Sequence, residues 1–103
     1  MPHYDLAVVQ SLASDPNKII MMGGSRRDRT NLGYSMNDVQ RCIQDLTEEC
    51  FHKTHSYDKG PADAYRVDYL LDGQDHVDHL YVKFYIDKNN QLAIKVLSFH
   101  MDR

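Results

Sequence analysis

The stretch His76–Asp87, HVDHLYVKFYID, decides how the rest of this chain is read. Leu80, Val82, Phe84 and Ile86 share one parity, and His79, Tyr81, Lys83 and Tyr85 share the other. That is the period-2 pattern of a strand with two unlike faces. One face is apolar and belongs to a core. The other carries an imidazole, two phenols and an ammonium in a row, groups that transfer protons or meet an anion, so function is sought there.

Working outward, Asp72-Gly73-Gln74-Asp75 on one side and Asp87-Lys88-Asn89-Asn90 on the other are turn sequences. Upstream, Asp63 to Asp72 alternates with Tyr65, Val67, Tyr69 and Leu71 inward and Arg66 and Asp68 outward, and His52 to Tyr57 reads as a further strand before the loop Asp58-Lys59-Gly60-Pro61. Downstream, Gln91 to His100 begins with Leu92, Ile94 and Val96 in one parity but ends with Leu97 and Phe99 in the other. Either a bulge lies near Val96 or the strand is covered on both faces. The expected result is an antiparallel meander.

The N-terminal half has helical periods. Tyr4 to Ser14 spaces Leu6, Val9 and Leu12 or Ala13 as a helix, stopped by Asp15-Pro16-Asn17. Lys18 to Met22 is a short apolar run suited to an edge strand, ended by Gly23-Gly24, and SRRDRTN after it is expected to be a basic loop holding Arg26, Arg27 and Arg29. Ser35 is an N-cap with Asp38 in capping-box position and Tyr34 placed to staple onto Val39. Val39, Cys42, Ile43 and Leu46 then form one apolar stripe. Thr47 caps a short turn with Glu48 and Glu49 near its positive end. Helices first and a meander afterwards give an α+β, two-layer domain spanning 1–103, with the N-terminal helices on one face of the sheet and the other face open.

At 103 residues, with 42% apolar and 26% charged residues, the chain has the composition of one ordinary globular domain. No apolar run approaches the roughly 20 residues of a membrane span, and MPHYDLAVV lacks the order of a signal peptide, so a cytoplasmic location is expected. Cys42 and Cys50 are expected to be packing thiols. A net charge of −3 argues against indiscriminate coating of nucleic acid and leaves room for a local basic site. His52 with His55, and His76 with His79, are three apart on strands and point to opposite faces, so neither pair chelates from one strand, and there is no CxxC knuckle. No metal and no cofactor are expected. Phosphate-loop, GxSxG and HExxH motifs are absent.

If the meander pairs as read, Arg66, Tyr81 and Lys83 share the open face, Lys53 joins them from the preceding strand, and His100 joins if the last strand bulges. Cations beside a phenol and an imidazole suit metal-free RNA cleavage. That reaction needs a base for the 2′-hydroxyl proton, cations for the charge on the phosphorane and an acid for the leaving 5′-oxygen. Histidine fills either proton-transfer role near neutrality.

The order LGYSMNDVQRCIQDLTEECFHKTHSYDKGPADAYRV, then LYVKFYI, then LSFH resembles the MqsR family of toxins, whose fold is similar to that of RelE. The resemblance is carried from Leu32 to Phe99, with the PH of Pro2-His3 before it. It implies a sequence-selective mRNA endonuclease that arrests translation and is silenced by a cognate antitoxin. A homodimer or a toxin–antitoxin hetero-oligomer is the assembly to look for. By resemblance, Lys53 after Phe51-His52 and Tyr81 of the YxK are catalytic positions. Where the family pattern has glutamine before DAYR this chain has Ala62, and where it has lysine after SF this chain has His100. The expected site is thus His100 as general acid or base, Lys53 and Arg66 on the phosphate, Tyr81 as positioning or proton-transferring group, and Lys83, Arg26, Arg27 and Arg29 as RNA contacts. A second reading keeps the fold without the chemistry, as a binding module acting through protein contacts at a sheet edge, with Ala62 and the acidic balance in its favour.

Overall fold

The computed structural model describes residues 1–89 and 92–102. Helix α1 (Leu6–Leu12), strand β1 (Ile19–Met21), helix α2 (Gly24–Leu32) and helix α3 (Met36–Gln44) precede four long strands. These are β2 (Phe51–Tyr57), β3 (Gly60–Tyr69), β4 (Asp78–Asp87) and β5 (Ala93–Met101). The sheet order is β1-β5-β4-β3-β2, antiparallel except for β1, which pairs parallel with β5 as an edge strand. This is the expected α+β arrangement of N-terminal helices and a meander. Asn90 and Gln91, at the end of the expected last turn and the start of the expected last strand, lie outside the described residues.

Helix α3 forms where its signals stand. The Ser35 hydroxyl accepts from the Asp38 backbone N–H at 3.1 Å, and the Asp38 carboxylate accepts from the Ser35 N–H at 2.8 Å, so two of the helix's orphan donors are satisfied reciprocally. Val39, Cys42, Ile43 and Leu46 are buried against Leu80, Val82, Phe84 and Phe99 in one core, with Leu6 and Val9 of α1. Tyr34 enters the same core, edge-on to Phe99 with ring centroids 5.5 Å apart, and its hydroxyl donates to the buried Asp78 carboxylate at 2.7 Å. Burial pushes the Cys42 thiol up to about 12, which leaves it an inert packing group. Ser35→Ala removes one half of the cap and is expected to destabilise the protein by about 1 kcal/mol. Urea unfolding reads this as a lower midpoint at unchanged slope.

Two expectations are corrected. SRRDRTN is helix α2 rather than a loop. Its face is polar, with only Ser25 buried, so it has no apolar stripe to betray it. Its ends are set by glycines, with Gly23 at the N-cap and Gly33 in the left-handed region (φ 80°) at the C-terminus. Ser25 docks it on β5 by donating to the Val96 carbonyl at 2.8 Å. Helix α1 is shorter than expected and starts after Asp5, whose carboxylate accepts from the Ala7 N–H. The preceding residues are drawn away from helix by Asp63, whose buried carboxylate accepts from the backbone N–H groups of His3 (3.0 Å) and Tyr4 (2.8 Å).

Two one-residue bulges decide which side chains reach the open face. On β5, Val96 pairs with Phe84 and Ser98 with Lys83, so Leu97 is the extra residue. Strict alternation from Ile94 would send His100 to the core; the bulge puts Phe99 there instead and turns His100 outward. On β2, Phe51 pairs with Tyr65 and Lys53 with Ala64, leaving His52 as the extra residue. Phe51 consequently stacks edge-on against core Tyr65, while Lys53 faces the open side.

Candidate active site

The open face is organised in levels set by the register. Arg66, Tyr81 and His100 stand directly opposite one another on β3, β4 and β5. The neighbouring level is Lys53, Ala64, Lys83 and Ser98, and beyond it His55 stands opposite Ala62. Because β3 contributes only Ala62 and Ala64 there, both buried, it forms the floor of a shallow groove. The walls are Lys53, His55 and Tyr57 from β2 and Tyr81, Lys83 and Tyr85 from β4. Strands two apart in a sheet are separated by about 10 Å, a span that paired side chains bridge only when the strand between them carries small ones.

Two such bridges cross the floor. His55 Nε2 lies 3.0 Å from the Tyr81 hydroxyl, and Lys83 Nζ donates to the Tyr57 hydroxyl at 2.7 Å. The Lys83 ammonium, 5.2 Å from the Tyr57 ring centre, meets the phenol at its oxygen end rather than over its face. The Tyr81 ring stacks on His100 with centroids 5.4 Å apart and planes 14° apart. His100 Nδ1 is 2.8 Å from the Met101 carbonyl, an acceptor only, so Nδ1 carries a proton and Nε2 is the nitrogen left for a substrate. At the outer end, Arg66 Nε pairs with Asp102 at 3.2 Å, a surface pair of exposed Arg66 and half-buried Asp102 with small energetic weight. Among the described residues no hydrogen bond or ion pair engages the Lys53 ammonium.

The positions expected from sequence are thus distributed as follows. Arg66, Tyr81 and His100 share a level, and Lys53 and Lys83 share the next. Arg26, Arg27 and Arg29 lie apart, on α2 beside β5. Arg29 donates to the Tyr34 carbonyl at 2.7 Å and Arg26 reaches the Met21 carbonyl at 3.4 Å, so both also brace the turns around their helix. The groove side chain that sequence reading passed over is His55, weighed there only as half of a metal pair. Its signal is register: it is two residues beyond Lys53 and has the same face. Burial, followed by the charges of Lys83, Lys53 and His52, lowers its pKa below the ordinary imidazole value. Among the described residues no three His, Cys, Asp or Glu side chains are grouped to hold a metal ion.

Next to the bridges the groove widens into a cavity of about 490 Å³ lined by Met22, Tyr57, Pro61, Lys83, Tyr85 and Leu97, among others. Phenol rings and apolar side chains beside a cation make a surface for a flat, polar-edged group.

A family model described as "Motility quorum-sensing regulator, toxin of MqsA" matches residues 1–101. The chain belongs to the MqsR toxin family. Membership makes it the toxin of a toxin–antitoxin system and implies a cognate antitoxin as partner. Comparison with curated proteins gave no match. No helix of the described residues is long and apolar enough to cross a membrane. In this MqsR-family toxin both Lys53 and His100 owe their place on the open face to a bulge, and bulges are over-represented beside active sites, where they re-aim a side chain.

Proposed function

We propose that this toxin is a sequence-selective, metal-independent endoribonuclease of the cytoplasm, which cuts single-stranded mRNA by attack of a 2′-hydroxyl on the adjacent phosphate and so stops translation until its antitoxin covers it. The observation that carries the reading is the level formed by Arg66, Tyr81 and His100, with Lys53 and Lys83 one step along the same face. His100 transfers a proton through Nε2, and Tyr81 positions the reacting hydroxyl and passes a proton. Lys53 and Arg66 stabilise the phosphorane, and Lys83 holds the chain beside them. Arg26, Arg27 and Arg29 form an outer cationic track. A base splayed from the strand enters the neighbouring cavity and stacks on Tyr57 or Tyr85. The 2′-hydroxyl requirement confines the enzyme to RNA.

Purified toxin, free of antitoxin, is expected to cleave a mixed mRNA in the presence of EDTA and to leave 2′,3′-cyclic phosphate and 5′-hydroxyl ends. Binding that rests on these cations weakens as salt is raised. Intact RNA after incubation with folded toxin at micromolar concentration, or products carrying 5′-phosphates, would remove the proposal. In cells, induced expression should arrest growth, and Lys53→Ala should relieve the arrest.

A further inference from the structure

The roles just proposed use His100, Tyr81 and the cations and leave the imidazole of His55 idle, although it stands in the middle of the groove. It reaches across the alanine floor to the Tyr81 hydroxyl (3.0 Å) and stacks on Tyr57, with centroids 6.1 Å apart and planes 22° apart. The groups facing it are Lys53, His52 and Tyr57 on its own strand and Tyr81 and Lys83 on β4. Its partner on β3, Ala62, carries no charge, and His100 on β5 lies on the far side of Tyr81. The surroundings are therefore cationic and phenolic, and among the described residues no carboxylate acts on the ring to hold a proton there. A neutral imidazole in that position accepts the Tyr81 O–H through Nε2 and keeps its own proton on Nδ1.

We propose that His55 is the proton acceptor of the cleavage site, acting through Tyr81, and that His100 is the acid. The inference rests on the endoribonuclease reading. The 2′-hydroxyl gives its proton to the Tyr81 oxygen as Tyr81 gives its own to His55 Nε2, so the phenol ends neutral and His55 ends as imidazolium. The 2′-oxygen forms its bond to phosphorus, the P–O5′ bond breaks, and the leaving oxygen takes the Nε2 proton of cationic His100. Both imidazoles regain their starting states by exchange with water. The division of labour follows from the surroundings. Burial and then the charges of Lys83 and Lys53 favour the neutral form of His55, whereas the His100 Nδ1–H is held by the Met101 carbonyl, which leaves Nε2 as the nitrogen that meets the leaving oxygen.

His55→Gln tests this, because the amide still accepts from the Tyr81 hydroxyl but cannot take up a proton. Against a short RNA substrate, kcat is expected to fall by about 100-fold or more with KM within about threefold. The wild-type decline of kcat/KM on the acid side, set by protonation of the acceptor, should be absent from the remaining activity. Tyr81→Phe should lose the same limb, since it cuts the relay. A His55→Gln protein that keeps the wild-type rate and the acid limb overturns the assignment of His55 while leaving the nuclease standing. A wild-type protein that cleaves no RNA removes both. A measurement that needs no folded variant is the NMR titration of the His55 ring in the wild-type toxin. It should titrate below 6.5, and a midpoint at or above that value also overturns the assignment.

Discussion

Replacing His100 with alanine is expected to lower the rate of RNA cleavage by about 10²–10⁴-fold and to leave the fold intact. The ring is half-buried on the open face. Its contacts are a stack on Tyr81 and a bond to the carbonyl of the next residue, so its loss opens no cavity in the core. The cost in stability should stay within about 0.5 kcal/mol, as for other surface positions. Lys83→Ala makes the useful contrast: its ammonium is held by Tyr57 at the groove wall, so a charge contribution to binding is lost while the two imidazoles proposed to move protons stay in place, and KM should change more than kcat. Single-turnover cleavage by the two variants, with melting curves alongside, separates the roles. A His100→Ala toxin that cuts RNA within threefold of wild type would deny this residue any part in the chemistry.

How far the site could be read from sequence turns on the bulges. The parity of β4 is plain in LYVKFYI, so Tyr81 and Lys83 were assignable to the open face without coordinates. On β5 the switch from Ile94 and Val96 to Leu97 and Phe99 announces an irregularity, and the position of His100 depended on which resolution was true. The bulge on β2 announces nothing, because Phe51 and Lys53 fit one parity as well as two. Only pairing with Tyr65 and Ala64 shows that the strand slips there. Helix α2 was hidden for a different reason: its neighbours bury only one of its side chains, so amphipathic periodicity had nothing to display. His55 was missed because a contact across two strands depends on the size of what lies between. Ala62 and Ala64 look like ordinary strand residues until the register makes them a floor.

The largest loss of stability is expected from Asp63→Ala. Asp63 is fully buried, on the core side of β3 opposite Phe84, and its oxygens accept from His3 N–H (3.0 Å), Tyr4 N–H (2.8 Å) and the Thr54 hydroxyl (2.6 Å). It thus ties three separate pieces of chain together: the N-terminal segment, β3 and β2. A carboxylate satisfied by several donors tolerates burial, and each donor stranded by its removal costs about 1–3 kcal/mol unless water reaches it. Because the two N–H groups sit at the N-terminal edge and can regain water in part, a total of about 3–5 kcal/mol is expected, a large share of the 5–15 kcal/mol typical of a domain. Asp63→Asn should cost less, since one oxygen remains to accept. The effect should also reach the groove, because Thr54 stands between Lys53 and His55, and β2 is an edge strand held on one side only. Urea unfolding gives the stability change, and amide exchange gives its location: the Tyr4 N–H should lose protection first, followed by the β2 amides before those of β4. A variant within 1 kcal/mol of wild type, with Tyr4 still protected, would mean that the N-terminal segment is held by the Tyr4 hydroxyl on the Pro61 carbonyl instead.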